Sequence, residues 1–276
     1  MESLRTSLLE FIQTSGGEVS VDYRDLASGR ILQISPDVRM HAASTMKVPV
    51  MIQLFKDRDE GRLRLEDSLE VTTTFSSIVD GSPYTLVVES DSDSTLYSLE
   101  GREVTYAHLI ELMITYSSNL ATNILIQEVG ADRVTALMRQ LGADSIQILR
   151  GVEDGPAFQA GLSNTTTARD LGVIMEALGK GEIGSEETSG EMLEILGRQH
   201  WRTKIPALLP SGTRVSHKTG RITGISHDSG VVFPEDAPPY VLTILTRGFD
   251  DGEVADAVAA EISREIFNFH ISQVRE

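Results

Sequence analysis

Three short groups of residues could do chemistry together: Ser44-Thr45-Met46-Lys47, Tyr116-Ser117-Ser118-Asn119 and Lys218-Thr219-Gly220. A serine hydroxyl is a poor nucleophile until a base removes its proton. Spacing of three places Ser44 and Lys47 about one helical turn apart on the same face. The neighbours Val48, Pro49, Val50 and Met51 offer a dry setting in which the lysine would lose charge and serve as that base. A helix N-terminus beside Ser44 adds partial positive charge and free N–H groups. Ser117 could relay a proton to a leaving amine, and Asn119 could hydrogen-bond a substrate amide. Lys218 and Thr219 suit a substrate carboxylate, and Gly220 lets backbone approach it closely. Each group alone has a plainer reading. Ser44 could be a cap beside a snorkelling lysine, Ser118 or Asn119 could cap a helix, and K-T-G occurs by chance.

The elements that must position these groups are legible from apolar spacing. Leu4, Leu8, Phe11 and Ile12 mark an N-terminal helix stopped at Gly16-Gly17. Strands are expected over about 18–24 and 30–35, joined by a turn at Ala27-Ser28-Gly29. A helix is expected from about Ser44 to Lys56, with Val50, Met51, Leu54 and Phe55 on one side and Pro49 in its first turn. Helices follow around 108–114, 121–129 and 134–141, and Thr167 caps another reaching Gly179. Strands return at about 213–217, 229–233 and 240–246, before a last helix near 254–269. Strands at both ends and helices between them predict an α+β fold. One antiparallel sheet is flanked by terminal helices, with an all-helical lobe inserted. The expected division is a single domain over 1–276, with sublobes of about 1–43 plus 205–276 and about 44–204. Glu89-Ser90-Asp91-Ser92-Asp93-Ser94 lacks the glycine and final glutamate of a calcium loop and reads as a solvated loop.

Taken in order, the three motifs resemble the signature of class A β-lactamases and penicillin-binding proteins, and the likeness runs nearly the length of the chain. Asp25–Arg30 is similar to the family's first hairpin, Asn123 recurs in its helix, and Thr165–Asp170 resembles the segment leaving its Ω-loop. The resemblance implies a β-lactamase/transpeptidase-like fold and a serine hydrolase that forms an acyl-enzyme at Ser44. Lys47 and Ser117 would handle protons, and Asn119, Lys218, Thr219 and Gly220 would bind substrate. The backbone N–H groups of Ser44 and Arg221 would form the oxyanion hole. It implies a small β-lactam or acyl-D-alanyl-like substrate, no cofactor and no metal. A D-alanyl peptidase or esterase of the penicillin-binding type, and a non-hydrolysing penicillin-binding sensor, remain as alternatives.

The sequence departs from that pattern in three places. From Arg150, the loop Gly151-Val152-Glu153-Asp154-Gly155-Pro156 is a residue short, and the family's deacylating glutamate has no clear counterpart. Glu153 is a nearby candidate for that base, or a surface carboxylate. Ser118 stands where the β-lactamases carry aspartate. The segment 84–104 is longer than the family norm and could alter a wall of the cleft. His227-Asp228 invites a Ser-His-Asp triad, but adjacent strand residues point to opposite faces.

Composition excludes other classes. The formal net charge is −17, from 41 acidic against 24 basic residues, which disfavours nucleic acid and anionic lipid as partners. There are no cysteines, hence no disulfide, thiolate catalysis or Cys-based zinc site, and the six histidines show no ligand spacing. The N-terminus has no basic start, apolar run or cleavage site of a signal peptide, although the family is usually exported. A soluble monomer is expected.

Overall fold

The computed structural model describes residues 1–273. Five antiparallel strands form the main sheet, in the order Ile31–Ile34, Glu18–Asp25, Tyr240–Arg247, Ile225–Phe233, Arg214–Ile222. Both chain ends thus contribute to one sheet, as their patterning predicts. The first hairpin pairs Val21 with Ile34 and Arg24 with Ile31 around the expected turn. The edge strand pairs His217 with Gly230 and Lys218 with Ser229.

Alternation along the strands divides the sheet between two apolar layers. Val19, Val21, Tyr23, Tyr240, Leu242 and Ile244 face helices α1 (Glu2–Gln13) and α9 (Gly252–Ser272). Val231, Val241 and Leu245 face the helical part of the chain. That part holds α2 (Lys47–Asp59), α3 (Tyr106–Thr115), α4 (Asn119–Val129), α5 (Ala131–Gln140), α6 (Gly155–Gln159), α7 (Ala168–Gly179) and α8 (Glu186–Gly197). Among the described residues no helix is long and apolar enough to cross a membrane.

Several boundaries differ from the sequence expectation, each for a physical reason. The Ser44–Lys56 helix is two elements, a 3₁₀ turn over Ala43–Met46 followed by α2. Helix α2 is buried on all sides, from Val48 through Phe55, because it runs through the centre of the helical layer. The Lys218-Thr219-Gly220 motif does not follow a strand but lies inside one, since Arg214–Ile222 continues through it. Its polar residues break the apolar alternation that marks strands. Helix α8 was not anticipated: its first turns are Glu, Thr, Ser and Gly, and only Met192, Leu193 and Leu196 carry the apolar spacing.

The acidic patch is a solvated loop only in part: Glu89, Ser90, Ser92 and Ser94 are exposed, but two of its aspartates are engaged. Asp93 is buried and bonds Thr95, while Asp91 reaches helix α4. Short polar segments cap buried helix ends as readily as they face solvent, and sequence alone does not separate the two.

Candidate active site

Ser44 sits in the 3₁₀ turn, which is anchored from three sides. A short ladder pairs Met40 with Thr166 and His41 with Thr165, and Ala42 N–H donates to the Asn164 carbonyl at 2.8 Å. Thr45 Oγ1 donates to the Ala42 carbonyl at 2.6 Å, and Ala43 N–H donates to His41 Nδ1 at 3.0 Å. Ala43 is held at φ +46° and Ser117 at φ +63°, conformations that non-glycine residues adopt only when their surroundings impose them. Half-buried Ser44 is therefore presented on a rigid, locally strained turn, in a cleft of about 500 Å³.

The edge strand lies directly against this turn. A methyl group built on Gly220 would stand 3.0 Å from Ser44 N and 3.1 Å from both Thr45 N and Ala43 Cβ. The glycine therefore lets the strand approach the nucleophile's own backbone. Sequence alone suggests that closeness for a substrate carboxylate; the fold also uses it to pack the strand on the nucleophile's turn. Gly220→Ala is expected to push the strand away by a few tenths of an ångström and to lower the acylation rate about tenfold or more. Thermal unfolding should move little. An unchanged rate constant in stopped-flow acylation would contradict this.

Lys47 is fully buried on α2. Its Nζ makes three hydrogen bonds, to the Ser117 carbonyl at 2.6 Å, Asn119 Oδ1 at 3.0 Å and Ser117 Oγ at 3.2 Å. None of these runs to Ser44 Oγ. Lys218, equally buried, donates to Ser117 Oγ at 3.0 Å and to the Thr219 carbonyl at 2.9 Å. Two amines thus converge on one hydroxyl. Desolvation pulls the Lys47 pKa down to about 7, against the charges of Asp91 and Glu153, which draw it up. Burial pushes Lys218 well below its ordinary value too, helped by the charge of Lys47 and opposed by Asp228. Each buried aliphatic side chain on α2 contributes about 1.5–3 kcal/mol, and it takes several such neighbours to hold an amine away from water.

Ser118 turns out to be the cap of α4, its hydroxyl accepting from Ala121 N–H at 3.2 Å. Ser118 caps the helix, whereas Ser117 and Asn119 accept hydrogen bonds from Lys47, and Ser117 also from Lys218. Thr219 is buried on the edge strand.

The loop from Arg150 to Asn164 closes on itself. Asn164 Oδ1 accepts from Leu149 N–H at 2.8 Å, and its Nδ2 donates to the Arg150 carbonyl at 2.9 Å. Asn123 on α4 clasps the loop, accepting from Val152 N–H at 2.6 Å and donating to its carbonyl at 3.0 Å. Asp154 is occupied, accepting from Ser77 Oγ at 2.8 Å, Ile78 N–H at 3.0 Å and Ala157 N–H at 3.0 Å. Glu153 is exposed, sits at φ +61°, and lines the same cleft as Ser44, Asn119 and Arg221.

His227 and Asp228 form no triad with Ser44. His227 Nε2 donates to the His41 carbonyl at 3.0 Å and its Nδ1 accepts from Thr246 N–H at 3.1 Å, which fixes a neutral ring. Burial lowers its pKa to about 4. Asp228 bonds His217 Nδ1 at 2.8 Å instead.

Two groups escaped the sequence reading. Lys204 is buried with its Nζ 3.4 Å from Asp256, which also pairs with Arg221 at the cleft. Asp91 accepts from the backbone N–H groups of Asn119 and Leu120, each at 2.8 Å. Neither shares a motif or spacing with its partners, so only folding brings them to the site.

With this geometry in place, comparison with known proteins gives the class. The profile of the family described as "Beta-lactamase enzyme family" matches residues 3–270, so the chain belongs to that family of serine hydrolases acting on β-lactam amides. The chain is 29% identical over 262 residues to "Beta-lactamase AST-1" of Nocardia asteroides, covering 93% of this chain and 80% of that one. The fold is that of a β-lactamase from Sphaerobacter thermophilus at a TM-score of 0.83 and 26% identity, with 98% of both chains covered. A mutant of PBP-A, solved as its acyl-enzyme complex with penicillin G, is similar at a TM-score of 0.81 and 26% identity, covering 98% of this chain and 96% of that one.

Proposed function

We propose that this protein opens β-lactam amides by transferring the acyl group first to Ser44 and then to water. One observation carries the reading: the Ser117 hydroxyl, on a residue held at φ +63°, lies between two buried lysine amines, at 3.2 and 3.0 Å, and one of these amines, Lys47, follows Ser44 on the next turn of the chain. Neutral Lys47 takes the Ser44 proton as Oγ attacks the lactam carbonyl. The backbone N–H groups of Ser44 and Arg221 receive the developing oxyanion. The C–N bond then breaks, and the ring nitrogen receives its proton through Ser117, whose hydroxyl is replenished from Lys47. Lys218 lies beside the leaving group with Thr219 and hydrogen-bonds the Ser117 hydroxyl that delivers the proton, and Asn119 holds the acyl amide. Water then adds to the ester, and Ser44 leaves with a proton.

Deacylation needs an aimed water. Of the two carboxylates that the Arg150–Asn164 loop presents to the cleft, Asp154 is spent on three hydrogen bonds, which leaves Glu153. Glu153→Gln is expected to leave acylation unchanged and to slow deacylation about 10²-fold, so that the acyl-enzyme accumulates in intact mass spectra. Unchanged turnover would acquit Glu153. The overall reading is tested by loss of lactam absorbance when protein is added to a penicillin. No loss and no adduct would overturn it. A stable adduct without turnover would place the chain with penicillin-binding proteins, a reading favoured by the likeness to the PBP-A acyl-enzyme.

A further inference from the structure

The N-terminus of α4 presents backbone N–H groups that the helix itself cannot satisfy. Ser118 takes that of Ala121. Those of Asn119 and Leu120 go to the two oxygens of one carboxylate, Asp91, at 2.8 Å each. Asp91 comes from the segment between residues 84 and 104, 28 residues before Asn119, and lies outside all three motifs. Tyr97 OH steadies it at 3.0 Å, and the neighbouring Ser90 carbonyl accepts from Asn119 Nδ2 at 3.4 Å. Ser90 and Ser92 line the cleft on either side of it. The same Asn119 offers its Oδ1 to Lys47 Nζ at 3.0 Å.

We propose that Asp91 is a positioning residue of this site, whose carboxylate fixes the first turn of α4 and thereby where Asn119 meets both Lys47 and the substrate. The backbone pair and the side-chain contact form one chain: Asp91 to Asn119 N–H, Asn119 Oδ1 to Lys47. Ser118 caps its helix with a neutral hydroxyl, so the negative charge at this helix end comes across space from the 84–104 segment. The wall of the cleft and the base are therefore coupled. A shift of this segment would displace Asn119, and a displaced Asn119 would take away one of the three hydrogen bonds of Lys47.

The groups that face Lys47 define the electrostatic consequence. Lys218 stands opposite on the edge strand, Glu153 lies across the cleft on the loop after Arg150, and Asp91 lies behind Asn119. Among these, Asp91 and Glu153 favour the protonated amine. Removing the Asp91 charge therefore lowers the Lys47 pKa further.

The test uses Asp91→Asn and Asp91→Glu in the whole protein. The titration of Lys47 is followed by the NMR signal of its Cε, alongside the pH profile of acylation by penicillin. In Asp91→Asn the Lys47 midpoint should fall by about half to one pH unit, and the KM for penicillin should rise about tenfold. Asp91→Glu should restore the midpoint toward that of the native protein. A role confined to stability would lower the unfolding temperature and leave midpoint and KM unmoved, which would overturn the proposal. It rests on the acyl-transfer reading only for its kinetic arm. If penicillin acylates neither protein, that reading fails, while the Cε titration still decides on Asp91.

Discussion

Alanine at position 44 is expected to abolish covalent labelling by penicillin and to reduce hydrolysis about a million-fold, to the detection limit. The effect is this large because the rest of the machinery has no other nucleophile to serve. Ser117 is the next hydroxyl, but it already accepts hydrogen bonds from both lysines and sits on α4's side of the cleft. The backbone should be unaffected. The Ser44 hydroxyl does not appear in the hydrogen bonds that hold the 3₁₀ turn, which come from Thr45, Ala43 and Ala42. Circular dichroism and thermal unfolding should therefore match the native protein while acylation vanishes. Residual labelling in Ser44→Ala would show that another side chain carries the acyl group.

The second large effect belongs to Lys47. Lys47→Ala should slow acylation about 10³-fold, within the range removed with a general base. Lys47→Arg should do nearly as badly, because a guanidinium keeps its proton throughout the accessible pH range. In the native protein the second-order acylation rate should rise as pH climbs through about 7, where the buried amine loses its proton. Both variants should lose that rise.

Stability should follow the same group. Its folded pKa lies below the ordinary value of 10.5. Between about 7 and 10.5 the unfolded chain therefore holds a proton that the folded one does not. Raising pH through that window stabilises the fold, lowering it through the window costs stability, and below about 7 this group adds no further slope. Lys47→Ala should flatten this slope in denaturant midpoints measured against pH. Lys218 contributes in the same direction, so the slope should shrink without disappearing. An acylation profile flat across neutral pH in the native protein would contradict the role given to Lys47.

Much of the site was legible because its chemistry is carried by side chains in short motifs. Ser44 with Lys47, and Ser117 with Asn119, stood out as candidates because three short motifs occur in the order of a known family; spacing alone left each with a plainer reading. The sheet was legible because apolar alternation at both chain ends survives in strands with one face on each core layer. What spacing cannot show is contact across space. Asp91 looks like any loop aspartate until the 84–104 segment folds onto α4. Lys204 looks like a surface lysine until Asp256 on α9 meets it. Gly220 suggests close approach of backbone to a substrate carboxylate, but its packing against the nucleophile's own backbone is a fact of tertiary structure that spacing does not show. The triad suggested by His227-Asp228 was discounted on strand geometry alone, and the separate partners of those two side chains bear that out.

The central claim is that Ser44 takes the acyl group under the control of two buried amines. The most direct measurement is a millisecond mass time course of the native protein mixed with penicillin G, with peptide mapping of the quenched sample. An adduct of one whole penicillin is expected on the peptide carrying Ser44, forming faster at pH 8 than at pH 6 and returning to free protein as product appears. Hydrolysis without any adduct, or an adduct on another residue, would contradict it.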